Sequence, residues 1–227
     1  MILMGHRGAK DEKPENTMQG FQHAVKLSLK AVELDIHLSS DERLMVIHDS
    51  TLDRTTNGNG LISAHTFTQL RSLDAGAGQK IPFLQEVLDY LLSKGVHVQI
   101  EIKDKKTLPA LNKLIKAMEV QHQEQVTIIS FHHRWLKDLR FNHKNLDIAG
   151  LIYAYPLEPQ EIAKSIEAQG LSFNTQFIDE QLVAKCRKYN LKITGWNANT
   201  KDEYLRLKAL EIDFLGTDVP TQCLAWD

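Results

Sequence analysis

The chain has 227 residues, of which 42% are hydrophobic, so it can bury one large core. This favours one α/β barrel or doubly wound domain over two small domains. Its formal net charge of −2 at pH 7 provides no basic surface, so we expect no nucleic-acid partner. Its two cysteines form no recognisable pattern and are expected to be reduced.

The first residues lack the basic region, the long apolar region and the cleavage site of a secretory signal peptide. No run of about 18 apolar residues occurs in the chain, so no membrane-spanning helix is expected. Together these observations predict a cytoplasmic protein. The sequence leaves its oligomeric state open.

Strand-like apolar runs alternate with amphipathic helical runs along the whole chain, and this alternation predicts a parallel sheet. The predicted strands lie near 2–6, 31–37, 44–48, 97–103, 126–131, 148–153, 171–174, 191–197 and 212–216. The predicted helices lie near 16–29, 66–72, 83–94, 107–121, 134–142, 158–169, 179–189 and 200–210.

Nine strands are one more than a closed eight-stranded barrel needs. Only the six residues 38–43 separate the second predicted strand from the third, whereas a parallel crossover needs about a dozen. We therefore predict an α/β fold, a (β/α)₈ TIM barrel, with 44–48 as an extra antiparallel strand returning beside the second strand. The whole chain, 1–227, would be one barrel domain, and 52–80 a loop-rich insertion that could cover the barrel.

Charged residues interrupt the first, second and fourth predicted strands at or near their C-terminal ends, where barrels of this type carry their active sites. Burying one unpaired charge costs several kcal/mol, so these side chains must meet a metal, an ionic substrate or one another. In chain order they are His6, Arg7, Glu33, Asp35, Glu101 and Lys103.

Three of these residues are carboxylates that could bind a metal. Glu33 and Asp35 are two residues apart and so share one face of their strand, while Glu101 ends the fourth strand. Oxygen ligands alone favour Mg²⁺ or Ca²⁺ and disfavour zinc. The alternative is a layer of salt bridges with Arg7 and Lys103 inside the barrel.

Two histidines, His6 and His48, are predicted to act as an acid–base pair, because histidine titrates near neutral pH without help. The predicted return strand carries His48 towards the end of the strand that holds Asp35. His37 could belong to the same site, and His132 and His133 could touch a substrate. Packing or surface roles are expected for the remaining histidines, His23, His65, His97, His122 and His143.

Four residues are candidates for binding the substrate or for holding a site residue in place. Arg7 and Lys103 could bind a phosphate, the first through its planar fork and the second as a point charge, or they could balance the carboxylates. Trp196 is expected to form a wall of the pocket, with simple packing as the alternative. Asp218 is either a turn former or the partner of a site residue.

An ordered set of motifs spans most of the chain and resembles the signature of the glycerophosphodiester phosphodiesterases. These motifs are His6-Arg7-Gly8, Pro14-Glu15-Asn16-Thr17, Glu33-Leu34-Asp35, His48-Asp49, Leu52-Asp53-Arg54-Thr55-Thr56-Asn57-Gly58, Ile81-Pro82-Phe83-Leu84-Gln85-Glu86-Val87, Ile100-Glu101-Ile102-Lys103, Trp196-Asn197-Ala198-Asn199 and Thr217-Asp218-Val219-Pro220.

The resemblance implies a barrel related to that of the phosphatidylinositol-specific phospholipases. It implies one divalent cation on Glu33, Asp35 and Glu101, and acid–base catalysis by His6 and His48. It also implies hydrolysis of a small-molecule glycerophosphodiester to glycerol 3-phosphate and an alcohol. The nucleophile, which is water or the neighbouring glycerol hydroxyl, stays open, as do the roles of the two histidines and the headgroup.

The chain departs from the family pattern in two places. Asp41-Glu42-Arg43 stands where the family usually has an Asp-Gly turn before the return strand. Trp196-Asn197-Ala198-Asn199 replaces the commoner Trp-Thr-Val-Asn, so Asn197 could add a polar contact that shifts the headgroup preference.

Three other functions compete with this interpretation. A glycosidase could use Glu33 and Glu101 as its carboxylate pair, although Arg7 and Lys103 suit an anionic substrate better. A phospholipase-D-like enzyme acting on lysolipids would keep the same site and need an apolar mouth. A binding barrel without catalysis is disfavoured, because both histidines and all three carboxylates are present.

Overall fold

In the computed structural model, which describes residues 1–227, eight parallel strands close into a barrel. The first strand pairs with the second and with the last, which completes the ring. The strands are β1 (Ile2–Gly5), β2 (Ala31–Leu38), β3 (Leu44–Val46), β4 (His97–Ile102), β5 (Val126–Ser130), β6 (Asp147–Ile152), β7 (Gly170–Asn174), β8 (Lys192–Trp196) and β9 (Phe214–Thr217).

The extra strand is β3, which lies outside the ring and is paired with β2 of the barrel strands. The pairing is antiparallel, with Ile36 opposite Val46, so the predicted return strand is confirmed. The Ile47 amide continues the pairing by donating to the Asp35 carbonyl at 3.0 Å. In the turn before β3, Glu42 takes the left-handed conformation, with φ of +63°, where the family usually has glycine.

Helices follow the barrel strands and cover the outside of the ring. The ten helices are α1 (Met18–Lys26), α2 (Phe67–Ser72), α3 (Leu84–Ser93), α4 (Leu108–Ala117), α5 (Val120–Gln123), α6 (His133–Asn142), α7 (Pro159–Ile166), α8 (Glu180–Lys188), α9 (Lys201–Ala209) and α10 (Pro220–Ala225). Short 3₁₀ turns occur at Ile62–Ala64, Lys105–Thr107 and Thr175–Phe177.

Two helix predictions differ from the structure. The predicted helix 107–121 is broken, because Met118 is extended, with φ of −77° and ψ of +140°, and separates α4 from α5. The last helix, α10, was not predicted. Its start is stabilised from a distant part of the chain, since Glu12 accepts hydrogen bonds from the Thr221 amide at 2.8 Å and from the Thr221 hydroxyl at 2.6 Å.

The apolar core lies mainly between the barrel and its helices, in two clusters of 27 and 16 buried residues. Burying each large aliphatic side chain contributes roughly 1.5–3 kcal/mol relative to exposure. A third cluster packs the insertion 52–80 against β3 and the residues around it. Its members are Met45, Ile47, Leu52, Ile62, Leu70, Ala75 and Ile81.

The interior of the barrel is divided by polarity. The side formed by β1, β2, β4 and the residues directly after them carries the charged side chains, among them Glu33, Asp35 and Glu101. The opposite side is apolar, with a small cluster of Ile129, Ala149 and Leu151 against which Trp196 packs. Both cysteines, Cys186 and Cys223, are buried and unpaired. None of the ten helices combines the length and the hydropathy that crossing a bilayer requires.

Candidate active site

The tight turn after β1 places His6 and Arg7 at the C-terminal mouth of the barrel. The His6 amide extends the strand by donating to the Thr217 carbonyl at 3.0 Å. The chain then reverses so closely that a Cβ atom on Gly5 would lie 1.9 Å from the Gly8 carbonyl oxygen, and Gly8 has φ of +89°. Glycine is therefore required at both positions of this turn.

The three carboxylates gather because of strand register. Glu33 and Asp35 lie on one face of β2, and Glu101 is the partner of Asp35 on β4. One side-chain oxygen from each residue lies within 4.8 Å of the other two. All three residues are buried, and Asp35 is only 1% exposed. Carboxylates this close repel one another unless protons or a cation intervene.

The protonation of the cluster reflects this crowding. Burial, followed by repulsion from Asp35 and Glu101, raises the pKa of Glu33 well above its usual value. Burial and the charge of Asp35 raise the pKa of Glu101 to about 7. Burial opposes ionisation of Asp35 too, but Arg7 and Lys103 outweigh it and hold the pKa of Asp35 below its usual value.

The donor set fits a hard divalent cation. Asp35 Oδ1 is buried without a hydrogen-bond partner, and the Lys103 Nζ atom is 3.6 Å away from it. The other oxygen, Oδ2, accepts a hydrogen bond from Asn16 Nδ2 at 2.9 Å, which fixes the plane of the carboxylate. A carboxylate oxygen left free beside two further carboxylates is the environment that Mg²⁺ or Ca²⁺ prefers.

His6 is held by Asp218, which directly follows the last strand of the barrel. Its Nδ1 atom lies 2.5 Å from Asp218 Oδ1, and Asn199 Nδ2 donates to Asp218 Oδ2 at 2.7 Å. Burial opposes ionisation of Asp218, but the hydrogen bond to His6, the charge of His6 and the hydrogen bond from Asn199 together outweigh it and lower the pKa of Asp218 to about 2. The side-chain amide of Asn197 lies 3.0 Å from the same His6 nitrogen. Asp218 is therefore the partner of a site residue.

His48 is held in the same manner by Asp49, in the segment that directly follows the return strand β3. Its Nδ1 atom lies 2.6 Å from Asp49 Oδ1, and Lys103 Nζ donates to its Nε2 atom at 3.0 Å. The proton of the neutral ring is therefore on Nδ1. Burial lowers the pKa of His48, despite the opposing charge of Asp35. His37 supports this segment, since its Nε2 atom donates to the His48 carbonyl at 3.0 Å.

The two histidines share one arrangement. In each, Nδ1 faces a carboxylate, and Nε2 faces the carboxylate cluster or the lysine beside it. His6 Nε2 lies 3.8 Å from Glu33 Oε2. A carboxylate on Nδ1 fixes the orientation of an imidazole and leaves Nε2 to accept or donate a proton. The site can therefore exchange protons from two imidazoles next to a place for a cation.

Both predicted cations are paired with carboxylates. Lys103 Nζ donates to Glu101 Oε1 at 3.0 Å, and Arg7 donates to Glu15 Oε1 at 2.8 Å through its Nη1 atom. Burial works against both charges, but Asp35 and the other nearby carboxylates together outweigh it and raise the pKa of Arg7 and of Lys103. Both side chains line the cavity at the mouth, so charge balance and binding of an anion are compatible.

The cavity at the mouth has a volume of about 230 Å³ and is charged on one side and apolar on the other. Trp196 forms part of its apolar wall. Its ring centroid lies 5.6 Å from that of Phe131 in an edge-to-face contact, and 5.9 Å from that of Tyr153. Phe131 and Tyr153 are 46% and 62% exposed, so the apolar wall continues outwards to solvent.

The other histidines stay outside the cavity. His132 stacks on Trp135 with ring centroids 3.8 Å apart, and His133 Nε2 donates to the Leu151 carbonyl at 3.0 Å, so neither lines the cavity. Five histidines were expected to have packing or surface roles, and for four of them the structure shows such a contact. These contacts are His23 with Glu12, His65 with the Leu61 carbonyl, His97 with Thr127 and His143 with Asn112.

Four residues of the motifs received no role from the sequence. Asn16 orients Asp35, Asp49 holds His48, and Glu15 and Arg54 link their neighbours in a hydrogen-bonded chain. The sequence could have indicated Asn16 and Asp49, because polar motif residues are candidates for orienting a nearby site residue. Nothing local in the sequence indicates that Glu15 and Arg54 meet.

The closed barrel, with carboxylates, imidazoles and cations gathered at the C-terminal ends of its strands, defines a (β/α)₈-barrel enzyme. The chain belongs to the glycerophosphoryl diester phosphodiesterase family, whose model matches residues 6–222. It is 38% identical to a glycerophosphodiester phosphodiesterase of Caldanaerobacter subterraneus subsp. tengcongensis, over 96% of this chain and 94% of that protein. It is also 32% identical to a human lysophospholipase D, over 96% of this chain and 83% of that protein.

Solved structures share the fold along the whole chain. A phosphodiesterase from Oleispira antarctica, in complex with its product sn-glycerol-3-phosphate, has a TM-score of 0.92 at 25% identity, covering 100% of this chain and 96% of that one. A glycerophosphodiester phosphodiesterase from Thermotoga maritima has a TM-score of 0.83 at 25% identity, covering 100% and 98%.

Proposed function

We propose that this enzyme hydrolyses glycerophosphodiesters to glycerol 3-phosphate and an alcohol, with a divalent cation, Mg²⁺ or Ca²⁺, held by Glu33, Asp35 and Glu101. The observation that carries this proposal is the buried Asp35 oxygen without a partner, within a carboxylate cluster flanked by two histidines. Family membership and the product bound to the Oleispira antarctica enzyme support the substrate class.

When bound, such a cation neutralises charge on the phosphate oxygens. Arg7 and Lys103 line the same cavity, and they bind and orient the remaining phosphate oxygens. Their charges then offset the negative charge that grows in the transition state. Trp196 lines the opposite wall and contacts the organic part of the substrate. Residues 1–227 act as one catalytic domain, with 52–80 as its insertion.

His6 and His48 divide the proton transfers between them. Each has a carboxylate on Nδ1, Asp218 or Asp49, so its Nε2 atom is directed at the reacting centre. One Nε2 atom takes the proton of the attacking hydroxyl group, and the other gives a proton to the departing alcohol oxygen. Lys103 donates to Nε2 of His48 and so keeps that atom an acceptor before substrate binds.

The test is release of glycerol 3-phosphate from glycerophosphocholine and glycerophosphoethanolamine, with EDTA, Mg²⁺ and Ca²⁺ in parallel reactions. We expect no release with EDTA and restored release with at least one of the metals. Full activity in EDTA, after removal of metal is verified by elemental analysis, contradicts the metal assignment. Absence of release under all conditions contradicts the substrate assignment.

A lysolipid is the second candidate substrate. The exposed rings of Phe131 and Tyr153 extend the apolar wall of the cavity, and a human relative is a lysophospholipase D. Choline release from lysophosphatidylcholine, below and above its critical micelle concentration, is to be compared with release from glycerophosphocholine. A higher kcat/KM for the lysolipid favours this candidate, and a preference for the acyl-free substrate rejects it.

The metal should bind more tightly as the pH rises from about 5 to about 8. The pKa of Glu101 is about 7 and that of Glu33 is raised, so the metal-free protein holds protons here that a cation must displace. These raised values mean that metal-free stability falls as the pH rises above the usual glutamate range. We therefore expect the thermal shift caused by metal to grow with pH, to about 5–10 °C at a metal concentration 100-fold above Kd.

Differential scanning fluorimetry with and without metal across this pH range checks the prediction. The difference between the two curves removes the contribution of groups that titrate elsewhere. Calorimetry in two buffers of different ionisation enthalpy then counts the protons released. A thermal shift that does not depend on pH contradicts the raised pKa values of Glu33 and Glu101.

A further inference from the structure

Arg54 lies in the insertion and holds two carboxylates at once. Its Nε and Nη2 atoms donate to Asp49 Oδ2 and Oδ1 at 2.7 and 3.0 Å. Its Nη1 and Nη2 atoms donate to Glu15 Oε2 and Oε1 at 2.7 and 2.8 Å. The planar fork of arginine allows two bidentate contacts of this kind, whereas the ammonium group of lysine does not.

Each of the two carboxylates also contacts a residue that lines the cavity. Asp49 Oδ1 lies 2.6 Å from Nδ1 of His48, and Glu15 Oε1 accepts from Nη1 of Arg7 at 2.8 Å. Arg54 itself does not line the cavity. It is therefore the centre of a hydrogen-bonded chain that ends on a histidine at one end and on an arginine at the other, with both ends in the cavity.

The backbone around Arg54 is fixed by the insertion. Leu52 belongs to the buried cluster that packs against β3, and its amide donates to the Gly60 carbonyl at 2.9 Å. The Thr56 hydroxyl donates to the Leu52 carbonyl at 2.8 Å, and the Gly60 amide donates to Asp53 Oδ2 at 3.1 Å. The guanidinium group is thus presented from a rigid loop.

The pKa values of the two carboxylates agree with their contacts to Arg54. The hydrogen bonds from Arg54 are the largest cause that lowers the pKa of Asp49. Burial opposes ionisation of Glu15, but hydrogen bonds from Arg54 and Arg7 outweigh it and lower the pKa of Glu15. The Arg54 side chain is nevertheless 46% exposed, and ion pairs this exposed usually add little to stability. Solvent therefore limits the stability that these contacts add, whereas their bidentate geometry fixes both carboxylates in place.

We propose that Arg54 is a positioning residue for the reaction: it fixes Asp49 and Glu15, so that the His48 imidazole and the Arg7 guanidinium are aimed into the cavity. This inference rests on the proposed roles of His48 and Arg7. It gives the insertion a function beyond covering the barrel, because the insertion supplies the group that aligns two sides of the site.

The test compares Arg54→Ala and Arg54→Lys with the matched control Arg187→Ala. Arg187 is 41% exposed and donates to Asp213 at 2.8 Å, so its loss also breaks a surface ion pair. For both Arg54 variants we expect kcat/KM to fall by about 10–100-fold, as for other residues that orient a catalytic group. The melting temperature should change by less than about 4 °C in all three variants.

Two further measurements separate positioning from a structural role. In Arg54→Ala, added guanidinium ions should restore part of the lost activity, whereas sodium at the same concentration should not. In Asp49→Ala combined with Arg54→Ala, the loss of activity should be smaller than the product of the two single losses, because both changes remove the same support of His48, whereas the contact through Glu15 to Arg7 is lost only with Arg54. Additive losses, or wild-type kcat/KM in Arg54→Ala, overturn the proposal.

A measurement that does not depend on catalysis tests the role of Arg54 separately from the proposed function. Nitrogen NMR of histidine-labelled protein, with the His48 signals assigned from His48→Gln, reports which ring nitrogen carries the proton. We expect the Nδ1–H form in both proteins, because Lys103 still donates to Nε2. In Arg54→Ala, the hydrogen bond from Nδ1–H to Asp49 should weaken, which moves the signal of this proton upfield and speeds its exchange with water. An unchanged spectrum overturns the proposal whether or not the enzyme is active, and an inactive wild type overturns only the proposed substrate.

Discussion

His6→Ala is expected to lower kcat by about 10²–10⁴-fold, the usual contribution of a general acid or base. Its Nδ1 atom lies 2.5 Å from Asp218, and its Nε2 atom faces the carboxylate cluster. The alanine variant loses the proton transfer but keeps the three carboxylates, so its metal affinity should stay close to that of the wild type. Steady-state kinetics and calorimetric metal titration measure the two properties.

The control for this variant is His122→Ala, since His122 lies on the short helix α5 and does not line the cavity. A near-normal kcat in His6→Ala contradicts the acid–base assignment. A glycerol phosphodiester with a p-nitrophenol leaving group then separates the two roles of His6. If the loss largely disappears with this substrate, His6 is the acid that protonates the departing alcohol; if the loss persists, His6 is the base.

Glu33→Ala is expected to lose metal binding and activity together. The stabilisation supplied by a bound cation is worth several kcal/mol, so kcat/KM should fall by about 10³-fold or more. Glu33→Gln is the matched variant, because its side-chain oxygen can still accept from the Arg7 amide, which donates to Glu33 Oε2 at 3.1 Å. Both variants should behave alike if the negative charge is what holds the metal.

The melting temperatures of the Glu33 variants distinguish the loss of a metal ligand from misfolding. Because burial and neighbouring carboxylates raise the pKa of Glu33, its ionised form opposes folding of the metal-free protein above the usual glutamate range. At about pH 8, metal-free Glu33→Gln should therefore melt no lower than the metal-free wild type. Metal should stabilise the wild type and leave the variant unchanged. Tight metal binding with full activity in Glu33→Gln contradicts the ligand assignment.

Much of the fold could be predicted because its signals are local. The alternation of apolar strands with amphipathic helices indicated the barrel, and the short connection 38–43 indicated the antiparallel return of β3. The charges on β2 and β4 indicated the edge of the barrel at which the candidate site lies, since residues two apart on a strand share a side and parallel strands end at one edge.

Two features of the helices were not predicted, and a distant contact explains one of them. The helix α10 begins where Glu12, more than 200 residues earlier in the chain, accepts from Thr221. The break at Met118 between α4 and α5 had no glycine or proline to mark it. A local signal existed only for α10, since Pro220 stands at its start, a position that proline favours in helices.

The sequence by itself determined the fold class, the edge of the barrel that carries the site, and the residues that converge there. Only the tertiary structure decided what each of them contacts: Asp218 reaches His6 across 212 residues of chain, and Arg54 reaches Glu15 across 39. It also decided their protonation, including the raised pKa values of Glu33 and Glu101. The reason is physical, because a pKa depends on burial and on the distance to other charges, and both are set by how remote strands pack.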